Sequence, residues 1–586
     1  MTRTTPLAAV GAAAFVLLSA LCGTNASAMI ITVGQAGIPG NCSKPTLSAA
    51  LEQARTNPGP DQIWVTNDVQ PGTYDDQQLS IDSLDVDIIG GFDNCWSPSP
   101  TGRTRIAGDA ASAPVLKIRG SGVVNLKHLD IINGRSGSTP GSARRGGGID
   151  YSGHGSLVLE DVGIRHNVNG QYIDGAGGLS FEGTGGTAYL QLLDNVGIEG
   201  NYGSGMTVFG NAVLTMDGAN NTLKQNNGPG LRLESPAVAD IGASGNVFDA
   251  NETYGLELVH NANTTGTMES HLYAASNQNG LGFRGNKRGA IHMDAPAHSA
   301  SSYFLCVKGV YFQEHALVDS HPIGGAPDAA YGSLVRVVGP LAHLQMATNC
   351  AYPPAAATRF ERMTINYNVM ADGKPLFAVS GGAVAIVDRA FIGFNTANAV
   401  FSTNLGQPAS DAGLHVYNTI VGSNTLRDDV IESLHGAHVS AINLTVADND
   451  GAFGQALLAV DAAALGVADS IIDQPQPLLH VEGSRVGVSV QRVLAPNRIG
   501  TTAGDVIIED RPWFGGGYEL LPWSPGVDVA SDTPGDAVDF YGRPRNVDTF
   551  GVPNIFGSRD LGAVELQLVD YDSIFANAFE GGAGFE

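Results

Sequence analysis

Three segments of the chain align without a gap: IEGNYGSGMTVFG (198–210), LKQNNGPGLRLES (223–235) and FDANETYGLELVH (248–260). Asn201, Asn226 and Asn251 recur at a step of 25, as do Gly205, Gly230 and Gly255, then Met206, Leu231 and Leu256, then Val208, Leu233 and Leu258. Met216 and Ile241 keep the same step. A fixed period of this kind marks a solenoid, whose repeats bury their apolar faces only by stacking on one another. Leucine-rich repeats share the period but need a helical segment on the convex side. Here short alternating runs, GLRLES and GLELVH, are broken by Gly, Asn and Pro, which turn the chain and form helices poorly. At about 3.3 Å per residue, one repeat makes a circuit of roughly 80 Å, which suits two or three short strands and their bends. Stacking equivalent positions one strand apart sets Leu on Leu inside and Asn on Asn at a turn, where side-chain amides can form a ladder. The expected fold is all-β, a right-handed parallel β-helix solenoid.

Weaker copies extend the array both ways. Asn133 and Asn167 precede Gly148 and Gly178 through longer turns, and Asn368, Asn395, Asn424 and Asn449 follow at steps of 27, 29 and 25. Repeats are thus expected over 111–296 and 358–567, with 297–357, the poorest match, as an insertion or a set of decorated turns. One segment has a different period. In the stretch from Cys42 to Val65, Leu47, Ala50, Leu51 and Ala54 have the i, i+3, i+4, i+7 spacing of an amphipathic helix, opened by Pro45-Thr46 and stopped by Asn57-Pro58-Gly59-Pro60. A solenoid exposes the apolar end of its first coil, and a short N-terminal capping helix within 29–110 would cover it.

Composition bounds the rest. With 77 Gly in 586 residues, 43% hydrophobic and only 15% charged residues, the chain has apolar material for a large core. A net charge of -26 argues against nucleic acid or an anionic membrane surface as partner. Residues 1–28 have the pattern of a signal peptide: Arg3, the apolar run Leu7 to Leu21, and Ala26-Ser27-Ala28 as cleavage site. The run is short of a bilayer span, so no membrane span is expected in the mature chain. Four cysteines then remain, Cys42, Cys95, Cys306 and Cys350, in an exported and hence oxidising setting. Pairing of sequence neighbours, Cys42 with Cys95 and Cys306 with Cys350, is favoured among three possible connectivities.

These features resemble secreted bacterial right-handed parallel β-helix proteins with a pectate-lyase-like fold. The resemblance is carried at the start by the helix TLSAALEQA followed by DQIWV, PGTY, VDIIGGFDNCW and TRIAG, and at the end by YELLPWSPGVDVA, DFYGRPRN and DLGAVE, which look like a closing coil. The tail 568–586, with YDSIFANAFEGGAGFE, resembles the DxIFxNGFE-type tail of some secreted Gram-negative proteins, although Ala578 stands where Gly is usual. The resemblance implies export to the extracellular space or outer cell surface.

On this fold the resemblance makes a polysaccharide lyase thinkable, with acidic ligands for Ca²⁺ and an Arg or Lys as base. Two residues after the repeat Gly, side chains face outward, which lines up Asp150, Ser180, Thr207, Arg232 and Glu257. Arg232 and Glu257 would form a solvated cross-strand ion pair. Further candidates for an anionic glycan are Arg135, Arg144 and Arg145 on a long early turn, and Lys287 and Arg288. The triplet Gly153-His154-Gly155 matches a glycosidase motif without its context, since the nearest acidic pair, Asp428-Asp429, lies far downstream. Cys/His metal spacings, nucleophile elbows and phosphate loops are absent, so no metal or other cofactor is expected unless a lyase calls for Ca²⁺. The sequence therefore favours a secreted, non-catalytic module that binds carbohydrate or a surface, with a polysaccharide lyase or glycoside hydrolase acting on uronate-type glycans as the alternative.

Overall fold

The computed structural model describes residues 28–567 except 35–41, 68–72, 109–112, 138–143, 170–174, 243–244, 261–266, 274–280, 296–301, 318–331, 347–361, 407–408, 452–453, 462, 484–486 and 533–536. Residues 1–27 of the predicted signal peptide, the predicted tail and Cys350 lie outside the described residues. The architecture is a parallel β-helix in which strands pair with the strand one coil away. One coil shows the plan: Leu231–Glu234 belongs to a first sheet, Val238–Ile241 to a second and Val247–Asp249 to a third. Each position repeats in register, as Met206, Leu231, Leu256, Ile291, Val335 and Phe377 do along the first sheet. In the third, Leu223, Phe248, Phe283 and Phe312 stack inward, the last three with ring centroids 4.8 and 5.3 Å apart. The interior is one continuous apolar column, as expected when every coil repeats the same inward positions.

The turn between third and first sheets holds the asparagine ladder. Asn226 donates from Nδ2 to Ile198 O at 3.0 Å and to Asn251 Oδ1 at 3.0 Å, while its own Oδ1 accepts from Asn201 N and Nδ2. The ladder runs from Asn167 through Asn201, Asn226, Asn251 and Asn286, and again from Asn368 through Asn395 and Asn424 to Asn449. The residue before each ladder position bends the chain in the left-handed region, at Gln225 (φ 55°), Ala250 (φ 51°), Tyr367 (φ 56°) and Phe394 (φ 59°). Asn133 has that bending role instead (φ 59°), and Gly134 occupies the ladder position of its coil, donating its N–H to Asn167 Oδ1.

Two sequence expectations change. Within 297–357 the described strands Tyr303–Lys308, Tyr311–Gln313, Val335–Val338 and Ala342–Met346 are all in parallel register with their neighbours, so the solenoid runs through them, while any decorated turns there lie outside the described residues. His315 fills the ladder position there, with Nε2 3.3 Å from Asn286 and Nδ1 2.9 Å from Asn368 Oδ1. Burial drives its pKa down to about 4, so it serves as a neutral amide substitute. Among the described residues, the chain after about 514 also forms no further coil. It is irregular and folds back along the outer face of the third sheet, where Phe540, Ala563 and Val564 cover Ile420, and Ala563 N donates to Thr445 Oγ1 at 2.8 Å.

The capping helix Leu47–Thr56 forms as its periodicity dictates. Thr46 Oγ1 accepts from Ala49 N at 3.2 Å as N-cap, and Leu47, Ala50, Leu51 and Ala54 are buried against the first strands. Cys42 and Cys95 form a disulfide with 5.3 Å between Cα atoms, a loop closure worth about 4 kcal/mol in the chain-entropy model. Cys306 is disulfide-bonded as well.

Leu231→Asp places a charge between Met206 and Leu256, and should cost about 4 kcal/mol or more. Asn226→Ala, which strands Ile198 O and Asn201 N but leaves the other rungs, should cost about 2 kcal/mol. Urea unfolding midpoints rank the two; wild-type midpoints for both would refute the inward and ladder assignments.

Candidate functional site

The outward row of the first sheet holds the five residues that the sequence lined up there, among them Arg232 and Glu257. Register places Asp150, Ser180, Thr207, Arg232, Glu257, His292 and Arg336 side by side on successive coils. Arg232 donates from Nη1 to Glu257 Oε2 at 3.0 Å and from Nε to Glu234 Oε1 at 2.9 Å. His292 Nδ1 lies 3.4 Å from Glu257 Oε1, and its Nε2 meets the Arg336 guanidinium. Arg144 leans in from the early turn, 3.0 Å from Glu234 Oε2 and 5.4 Å above the Phe209 ring. Basic and acidic groups of several adjacent coils therefore converge.

The Arg232–Glu257 pair is not the solvated pair expected from sequence: its side chains are only 19% and 13% exposed. Burial alone would raise the Glu257 pKa, but Arg232 and His292 outweigh it and hold it at about 2. A carboxylate fixed so low is a poor proton donor near neutrality, and Arg232 is engaged by two carboxylates rather than poised as a base. Lys287 pairs with Glu252 on the Asn turn at 2.5 Å, and Arg288 donates its backbone N–H to Thr253 O. Arg145 has an exposed side chain, and its carbonyl accepts from Asn169 Nδ2. His154 sits exposed at the turn after the strand Ile149–Gly153.

Farther along the same row, Ser402 and Glu432 are register partners. Here the Asp428-Asp429 pair acquires a third member, because the chain bends from Asp428 into the strand Ile431–Leu434 and brings Glu432 round to it. Oxygens of the three carboxylates lie within 4.8 Å of one another. Burial, with the neighbouring carboxylate charges, lifts Asp429 to about 7 and Glu432 to about 8. No arginine or lysine among the described residues offsets them. The pair D-D was visible in sequence; the contribution of Glu432 required the turn.

A third arrangement was not anticipated. Where the returning C-terminal segment meets the third sheet, a cavity of about 480 Å³ is lined by Tyr311, Arg362, Phe391, Tyr518, Phe540 and Tyr541, among others. Tyr311, Thr364, Phe391 and Ile420 are register neighbours facing outward, so the floor is one sheet row and the wall is the returning segment. The Arg362 guanidinium lies 4.6 Å from the Tyr541 ring and 5.2 Å from Phe540. Tyr518 is anchored by its hydroxyl 3.0 Å from Ser423 Oγ. Phe391 continues to Phe394 (6.2 Å), which stacks on Tyr367 at 5.4 Å and 12°. Tyr367 and Phe394 are 57% and 49% exposed, an unusual use of left-handed turn positions for aromatic rings. The only sequence trace was an aromatic before the ladder Asn in NYN and GFN.

No protein-family model matches the chain, and no curated protein matches it. No helix among the described residues is long and apolar enough to cross a membrane.

Because the folded pKa of Glu257 is depressed below its ordinary 4.5, its ion pairs stabilise the fold above that value and are lost as pH falls toward 2. The contribution at neutral pH is roughly 3 kcal/mol. Glu257→Gln should therefore lower the urea midpoint at pH 7 and match wild type progressively below pH 4; a pH-independent difference would contradict the assignment.

Proposed function

We propose that this chain is a secreted, non-catalytic β-helix module that binds extracellular polysaccharide, and that the cavity around Tyr311, Phe391, Tyr518 and Tyr541 is where it does so. One observation carries this: an aromatic surface, continuous from the exposed Tyr367–Phe394 stack through Phe391 into the cavity, ends beside the guanidinium of Arg362. Sugar rings present apolar C–H faces that stack on aromatic rings, and polar edges that need a few placed donors. Arg362 can clasp a carboxylate bidentately, which favours uronate-containing glycans over neutral ones. The aromatic pair spans neighbouring coils, so a glycan chain laid along the solenoid would meet one ring per coil. The Gram-negative outer surface or its surroundings is the setting that the N-terminal and C-terminal sequence features support.

A catalytic role on the same glycans draws on a different observation. Burial and the neighbouring carboxylates raise Asp429 and Glu432 toward neutral pH, the direction a general acid needs. Reducing-end release from pectate, alginate and neutral glycans separates the two. No release above a heat-inactivated control is expected, and release that Glu432→Gln abolishes would replace the binding role by a hydrolase or lyase.

For binding itself, calorimetry against the same panel should show an affinity for acidic glycans that Tyr518→Ala or Arg362→Ala weakens roughly tenfold each. Wild-type binding by both variants would place the glycan surface elsewhere.

A further inference from the structure

We propose that Asp428, Asp429 and Glu432 bind a calcium ion at the edge of the first sheet, beside the Asn turn. Each carboxylate offers an oxygen, and the three oxygens lie within 4.8 Å of one another. One ion with bonds of about 2.3–2.6 Å bridges that separation. Two buried oxygens at this place lack a protein partner. Asp429 is 0% exposed, yet its Oδ2 makes no hydrogen bond. Ser402, also 0% exposed, sits in register beside Glu432 with its hydroxyl close to that carboxyl but not aligned for a hydrogen bond. Enclosed polar atoms in native proteins are normally satisfied, so an unpartnered oxygen within the triad and an unpartnered hydroxyl beside it point to a ligand.

Charge selects the kind of ligand. Arg427, next in the chain, turns away to pair with Asp372. Asn398 Nδ2 donates to Asp428 Oδ2 at 3.2 Å and Gln455 N to Asp429 Oδ1 at 3.3 Å, neutral partners that do not offset three carboxylates. Two means of compensation remain, protons held among the carboxyls or a bound cation, and only the cation also takes up the unpartnered oxygens. The donors are all oxygen, which excludes a preference for zinc or copper and leaves a hard ion. Calcium tolerates irregular geometry and takes several carboxylates directly, whereas magnesium demands a tight octahedron and keeps its waters, for which enclosed Asp429 and Glu432 leave little room. Asp428 is the least buried of the three and marks the side from which the ion enters. The site makes no use of the aromatic cavity, so it stands whether or not the glycan assignment does.

The test uses the full mature chain stripped with EDTA and titrated with CaCl2 by calorimetry, beside Asp429→Asn and Glu432→Gln. Both substitutions keep shape and remove charge. Because so acidic a protein binds calcium weakly elsewhere, the count decides: wild type should show one tight site that each variant weakens roughly tenfold or more. Thermal unfolding of wild type alone provides a second readout, with about 1 mM CaCl2 raising Tm by several degrees and equimolar MgCl2 doing less. Equal calcium stoichiometry and affinity in wild type and both variants would overturn the proposal, as would a magnesium shift equal to that of calcium.

Discussion

The structure depends on satisfying one backbone turn. Between third and first sheets each coil reverses direction through a left-handed residue and then a buried Asn, and the carbonyl and N–H groups freed by that bend cannot reach water. The Asn side chain suits this turn because its amide has two donors and an acceptor, which serve a carbonyl one coil back, the Asn amide above and the backbone N–H below. Ser or Asp could satisfy one neighbour but not continue the chain in both directions. The ladder thereby locks the register, and register in turn fixes which side chains face the apolar column and which face outward.

That dependence explains what the sequence disclosed. Where turns have constant length, from Ile198 to His260, the ladder and the apolar rows repeat at one interval, and the outward row Asp150, Ser180, Thr207, Arg232, Glu257 could be read before any coordinates. Where the ladder residue changes, the period vanishes from the sequence although the coil persists. His315 accepts the same role because burial keeps its ring neutral, and no pattern based on Asn would find it. Asn133 misleads in the opposite sense, since it is the bending residue and Gly134 the ladder position.

Sites formed by long-range return of the chain were not legible at all. Tyr518 meets Ser423 across 95 residues, and Arg545 reaches Asn418 across 127. The signal that sends the C-terminal segment along the third sheet is the outward apolar positions Phe391, Ile420 and Ile471, which break the alternation expected of a solvated face. An outward-facing Ile in a β-helix asks to be covered, and the covering segment creates the aromatic wall as a consequence.

The outward row of the first sheet shows how little geometry alone decides. Glu257 and Glu432 occupy equivalent positions on the same sheet, both mostly removed from water, with pKa values at about 2 and about 8. For each, burial is the largest influence and pushes upward. The difference lies in neighbours: Arg232 and His292 flank the first, Asp428 and Asp429 the second. In a chain of net charge -26, cations are scarce, with 31 Lys and Arg against 57 Asp and Glu, and the early coils gather them where carboxylates are enclosed. Among the described residues, the cluster of Asp428, Asp429 and Glu432 on a later coil has no Arg or Lys paired with Asp429 or Glu432. A β-helix can place any side chain in that row without disturbing the column beneath, so the row is free to carry acidic clusters that the fold itself does not require.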